Sequence, residues 1–92
     1  MSVYVDFLID YGWKLGPSCH MTADTLEELH AMADAIGMKR SWFQVSRGDI
    51  PHYDLVNSRR KAAIKRGAIE ITTRAELRVH MDRMHQLYPR NK

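Results

Sequence analysis

The chain predicts a small α/β domain with a mainly parallel sheet of about four strands and three helices. Three observations lead there. Three segments carry helix start and stop signals, and short β-branched and aromatic runs alternate with them. The resulting order of strand, strand, helix, strand, helix, strand, helix favours right-handed crossovers between parallel strands. The 92 residues fit one domain, assigned to 1–88, with residues 89–92 as a frayed tail.

The first strand is "SVYVDFLID", where Val3, Val5, Phe7 and Ile9 alternate with Tyr4, Asp6 and Leu8. "YGWKLGPS" has the glycines and proline of a loop, and "CHMT" after it reads as a short second strand. In "DTLEELHAMADAIG", Asp24 is the expected N-cap and Glu27 its capping-box partner. Leu26, Leu29, Ala33 and Ile36 form the apolar stripe and Gly37 the stop, giving a helix over 25–36. "SWFQV" at 41–45 reads as a third strand and "SRGDIP" as a loop. A second helix is expected over 55–66, capped by Asp54, with Leu55, Val56, Ala62 and Ala63 as its apolar arc and Gly67 as its stop. "AIEIT" is the fourth strand. Thr73 and Glu76 open a third helix that repeats Leu77, Met81, Met84 and Tyr88 and ends before Pro89.

Composition sets the class. Hydrophobic residues at 45% and charged residues at 27% are ordinary for a globular domain and argue against disorder. The formal charge of +3 attracts polyanions only mildly. A lone cysteine, Cys19, has no internal disulfide partner, which suits a reducing compartment. No apolar run reaches the roughly 18 residues of a membrane span and no signal-peptide pattern opens the chain, so the expected location is cytoplasmic, with no membrane partner.

Open parallel sheets bind ligands beyond the carboxyl ends of their strands. On the expected topology that rim collects Asp6, Asp10, His20, Asp24, Gln44, His52, Tyr53, Asp54 and Thr73. His52, Tyr53 and Asp54 at a helix start suit a proton-transfer pair or an anion held on free N–H groups. The same three residues also read as a loop histidine, a hydrophobic staple and a cap. Arg59 falls within the apolar arc, where a guanidinium needs an acidic partner, an anion, or a path for its head to water. Asp6, His20, His52 and Asp54 have the ligand types for a divalent metal, although no HxxxH or CxxC spacing supports one. Cys19 and His20 are strand neighbours that point to opposite faces and do not form a dyad. His30 reads as a histidine at the edge of the core. Arg60, Lys61 and Lys65, with Trp42 or Phe43 as a stacking platform, offer a basic face for phosphates, although a charge run on a helix is usually its solvated side. Walker, GxGxxG, GxSxG and zinc-finger patterns are absent.

"VYVD", "CHMTAD" leading into "ELHAMADAIG", "WFQ", "HYD" and "RGAIEIT" together resemble domain of unknown function family 4031 over nearly the whole chain. The resemblance matches Asp6, His20, Asp24, His30, Trp42, Gln44, His52, Tyr53 and Asp54 to the family's pattern. It implies a bacterial or phage cytoplasmic setting and no established activity. Two functions are therefore expected. The first binds or hydrolyses a small anionic, phosphate-bearing ligand, with His52, Asp54, His20 and Asp6 as catalytic groups and Tyr53, Arg59, Gln44 and Trp42 as ligand contacts. The second is a non-catalytic basic module that grips nucleic acid or an acidic protein.

Overall fold

The computed structural model describes residues 2–45 and 50–89. The elements run β1 (Val3–Val5), β2 (Ser18–Ala23), α1 (Leu26–Ala35), a 3-10 turn (Arg40–Trp42), β3 (Tyr53–Val56), α2 (Asn57–Lys65), β4 (Ile69–Glu70) and α3 (Arg74–Leu87). Four strands and three helices form one α/β domain, as the sequence predicts. The sheet, however, is mixed and mostly antiparallel, in the order β3-β2-β1-β4. β1 with β2 and β2 with β3 are antiparallel, and only β1 with β4 is parallel.

The connections explain the correction. Residues 6–17 join β1 to β2 without a helix, so the chain returns beside itself as a long hairpin. β3 then lies antiparallel against β2, in a register that pairs Ser18 with Val56 and Met21 with Tyr53. A helical crossover between parallel strands does occur one step later. β3 and β4, joined through α2, both run parallel to β1 from opposite edges of the sheet.

Other boundaries move with it. Residues 41–45 are not a strand; only Gln44 makes an isolated bridge, to His52. Phe43 instead packs its ring against His30 and Tyr53, with centroids 4.6 and 5.5 Å apart. Tyr53–Val56 is strand rather than the start of a helix, with Tyr53 and Leu55 fully buried in strict alternation. Asp54 therefore caps nothing: α2 begins at Asn57, behind Val56, without a side-chain cap. The cap of α1 is Thr25, one residue later than expected, with its hydroxyl accepting from the Glu28 N–H at 3.2 Å. Thr73 caps α3 as the sequence predicts. Gly37 and Gly67 follow α1 and α2 at φ of 80° and 103°, a left-handed conformation that glycine adopts without strain.

The sheet's two faces are divided by chemistry. Val3, Val5, Cys19, Met21, Ala23, Tyr53 and Leu55 pack under Leu29 and Ala33 of α1 and Ala63 of α2. The opposite face carries Tyr4, Asp6, Ser18, His20, Thr22, Asp54 and Val56. α3 covers one end of that face, where His80 bonds the Thr22 hydroxyl at 2.8 Å and packs against the Tyr4 ring at a tilt of 52°. Among the described residues no helix is long and apolar enough to cross a membrane. Most of the expected tail, residues 90–92, and positions 46–49 of the expected loop lie outside the described residues.

Candidate functional site

The polar face of the sheet builds its site from cross-strand neighbours. Val5 pairs with Met21, so Asp6 lies beside His20, and His20 in turn pairs with Asp54 on β3. Three strands thus place Asp6, His20 and Asp54 in one row, and the Gln44–His52 bridge adds two more polar groups at its end.

Hydrogen bonds fix the direction of each side chain. Asp6 is almost fully buried; its Oδ1 accepts from the His20 backbone N–H at 2.6 Å and its Oδ2 from His20 Nδ1 at 3.0 Å. A carboxylate only accepts, so His20 Nδ1 carries a proton, and in the neutral ring Nε2 presents its lone pair. His52 is held the same way: Nδ1 donates to the Ile50 carbonyl at 2.7 Å, which again leaves Nε2 free. Both Nε2 atoms face one oxygen, Asp54 Oδ1, at 3.8 Å from His20 and 3.5 Å from His52. The other oxygen of Asp54 accepts from Gln44 Nε2 at 2.6 Å. The two imidazoles meet edge to face at 5.2 Å. The hydrogen bond to Asp6 raises the His20 pKa above its usual value of 6.5, against the opposing effect of burial.

Two lone pairs and a carboxylate oxygen within 4.8 Å of one another form a three-ligand set for a cation. Around a divalent ion with metal–ligand bonds of about 2.1 Å, tetrahedral neighbours stand about 3.4 Å apart, close to the separations here. Each ligand is also backed as metal ligands are: His20 by a carboxylate, His52 by a backbone carbonyl, Asp54 by an amide. Two histidines and one carboxylate suit zinc, manganese or iron better than magnesium or calcium, which prefer oxygen.

The other residues of the expected rim lie elsewhere. Asp24 sits at the far end of β2, bonded to Arg83, the Tyr4 hydroxyl and the Ser2 N–H, and the Arg83 and Tyr4 bonds help hold its carboxyl below the usual range against burial. Asp10 accepts from the Gly12 N–H in the loop, and Thr73 is a helix cap. Asp24 is separated by strand direction, since β2 runs opposite to β1, β3 and β4 and carries its carboxyl end to the other edge, whereas Asp10 and Thr73 are held apart by their own local bonds. Tyr53 points into the core, where its hydroxyl bonds His30 Nδ1 at 2.7 Å, and burial lowers the His30 pKa. Arg59 finds partners in carbonyls: its Nη1 donates to Ile36 and Gly37 at 3.1 and 2.6 Å, closing the C-terminus of α1. Its guanidinium and the Lys39 ammonium both lie over the Trp42 ring.

Sequence reasoning misplaced Arg60. It is not on a solvated basic face. Its Nε donates to the Asp6 carbonyl at 2.7 Å and its Nη2 to Glu70 at 3.0 Å, with the side chain 12% exposed. The contrast between Arg59 and Arg60 depends on where α2 starts, which the sequence places two residues early. Cys19 is buried on the core face and its thiol is pushed up to about 12, mainly by burial, so it is no nucleophile. Trp13 was read only as part of a loop, yet it lines a cavity that also touches Asp54 and Gln44. An indole in a glycine- and proline-rich loop was the signal available for it.

A family model described as "Protein of unknown function (DUF4031)" matches residues 3–83. No curated protein and no solved structure matches the chain.

Proposed function

We propose, for a chain that belongs to the DUF4031 family of proteins of unknown function, that it binds a divalent transition metal through His20 Nε2, His52 Nε2 and Asp54 Oδ1 and uses it to bind and hydrolyse a small phosphate-bearing anion. The observation that carries this reading is the convergence of two imidazole lone pairs, each with its other nitrogen committed, on a single carboxylate oxygen.

Charge explains why the metal comes first. Asp6 and Asp54 alone would repel an anion, and a dication held by His20, His52 and Asp54 would offset their charge. With three protein ligands, an open position remains for water or a phosphoryl oxygen, and the ion would supply Lewis acidity there. Hydrolysis then joins the water oxygen to phosphorus as the ester P–O bond breaks, and the proton lost by water ends on the departing alcohol. Asp6 keeps the His20 ring in place, the Ile50 carbonyl does so for His52, and Gln44 orients Asp54.

The test is calorimetric titration and thermal melting with Zn2+, Mn2+, Co2+, Mg2+ and Ca2+. Free metal at a hundred times its Kd stabilises a fold by about 2.7 kcal/mol, or roughly 10–20 °C in the midpoint of so small a domain. That shift is expected with Zn2+ or Mn2+ for wild type, and none for His52→Ala or Asp54→Asn. Release of inorganic phosphate from a phosphate monoester, lost in the same variants, tests the hydrolytic half. If no ion binds the wild-type protein, the reading is wrong.

A further inference from the structure

Asp54 and Gln44 belong to two places at once. Beside the two histidines they complete the metal-ligand set, and they also form part of the wall of a cavity of about 590 Å³. Pockets of that size hold molecules of mononucleotide dimensions. The wall is otherwise largely apolar, with Trp13, Leu15, Met38 and Val56 facing the cavity together with Trp42. Three of these are large and open to solvent: Trp13 is 47%, Trp42 42% and Leu15 79% exposed. Apolar side chains gathered in the open around a cavity mark a binding surface, and indoles offer flat faces on which a ring stacks. Arg59 lines the same cavity and brings positive charge to it.

We propose that this cavity receives the alcohol part of the substrate and that this part is a planar aromatic group. The ligand is then a phosphate monoester of mononucleotide size, its ring against Trp13 and beside Trp42, over whose ring Lys39 and Arg59 already lie, and its phosphate on the His20, His52 and Asp54 centre. The proposal rests on the metal reading of that centre. Two features select the class. A planar ring covers the apolar side chains of Leu15, Met38 and Val56 without stranding a polar group, while Ser18, Ser41 and Ser58 of the same wall are placed for the hydroxyls of a sugar attached to it. An anionic end is favoured because one wall carries both Arg59 and the carboxylate that would hold the cation.

Trp13 and Trp42 are the only two tryptophans of the chain, so its indole emission reports this cavity directly. The experiment titrates adenosine 5′-monophosphate, adenosine, ribose 5-phosphate and inorganic phosphate into the protein, with and without Zn2+, while following that emission. Adenosine should quench it with or without the metal, and the monophosphate should bind at least about tenfold tighter than adenosine only when Zn2+ is present. Ribose 5-phosphate should bind at least about tenfold more weakly than the monophosphate, the factor that loss of one stacked ring gives. Trp42→Ala and Trp13→Ala should each weaken monophosphate binding while calorimetric Zn2+ affinity stays unchanged. Ribose 5-phosphate binding as tightly as the monophosphate, or both variants retaining wild-type affinity for it, overturns the proposal and leaves the metal reading standing. Quenching by adenosine in a protein that binds no Zn2+ refutes the metal reading instead: the ring site then stands and the placing of the phosphate on the histidines is overturned.

Discussion

His20 and His52 reach one carboxylate from different supports, and the supports differ in what a substitution does to them. Asp6→Asn keeps an acceptor of similar shape but removes the charge that holds the His20 proton on Nδ1. Zn2+ affinity should fall by about 10–100-fold, the usual cost of losing a partner behind a ligand, while far-UV circular dichroism stays unchanged. His80 makes a second residue-level prediction, at the other end of the polar face. Burial lowers its pKa first of all and the Arg83 charge adds to this, while Asp6 and Asp24 pull the other way; Tyr4 and Thr22 pack against the ring as neutral partners. A depressed folded pKa means that the unfolded chain takes up the proton first. The contribution is therefore fully present above pH 6.5 and is lost as the pH falls from there through the folded value. His30 acts in the same direction and His20 in the opposite one. The informative quantity is thus the difference between wild type and His80→Gln in melting midpoint from pH 7 to pH 5, where the variant should show the flatter profile. Residue chemistry at the site was legible because histidine and aspartate types suggest a ligand set from composition alone. What Arg59 and Arg60 touch was not, since a two-residue error in a helix start turns an arginine by about 200° around the axis.

Helix termini were the most legible elements. Thr73 and both stop glycines are where the pattern puts them, and α1 is misread by one residue at each end. Aspartate and threonine are both good caps, so "DT" offers two choices that only tertiary contacts settle: Asp24 is drawn away to Arg83 and Tyr4, and Thr25 takes the cap. Thr25→Ala should then cost about 1 kcal/mol in chemical denaturation, with no change in metal binding. Short strands were the least legible, because β3 has four residues and an apolar arc over 55–63 is shared by either reading. Arg60 ties α2 to the end of β1 through the Asp6 carbonyl and to β4 through Glu70. Arg60→Ala should lower stability by about 1–3 kcal/mol, as loss of charge-assisted hydrogen bonds does. A protein whose denaturation midpoint is unaffected by that change would mean that Arg60 is free to face a ligand after all.

For the whole molecule, the class and the three helices could be read from the sequence; strand direction could not, nor could the place of the third strand, expected at 41–45 and found at Tyr53–Val56. Propensity and capping are local, whereas the direction of β3 depends on how the chain between α1 and Tyr53 travels, for which no residue pattern in 38–52 is diagnostic. The consequence of that arrangement is a division of labour by parity. Along 3–6, β2 and β3 the odd-numbered positions (Val3, Val5, Cys19, Met21, Ala23, Tyr53, Leu55) form the core, and the even-numbered ones face the other way, Asp6, His20 and Asp54 into the site and Tyr4 and Thr22 against His80. Stability and chemistry are thus written in two interleaved alphabets on the same few residues. Core substitutions should therefore show in a melting scan and those at His20 and Asp54 in a metal-binding scan, while Tyr4 and Thr22, packed with His80, should register in melting although they are even-numbered. One inserted residue within β3 exchanges the two sets: it carries Tyr53 or Leu55 round beside His20 and drives the Asp54 carboxylate in among Leu29 and Ala33. Length changes inside these strands are therefore predicted to abolish fold and site together, whereas most single substitutions touch only one of them.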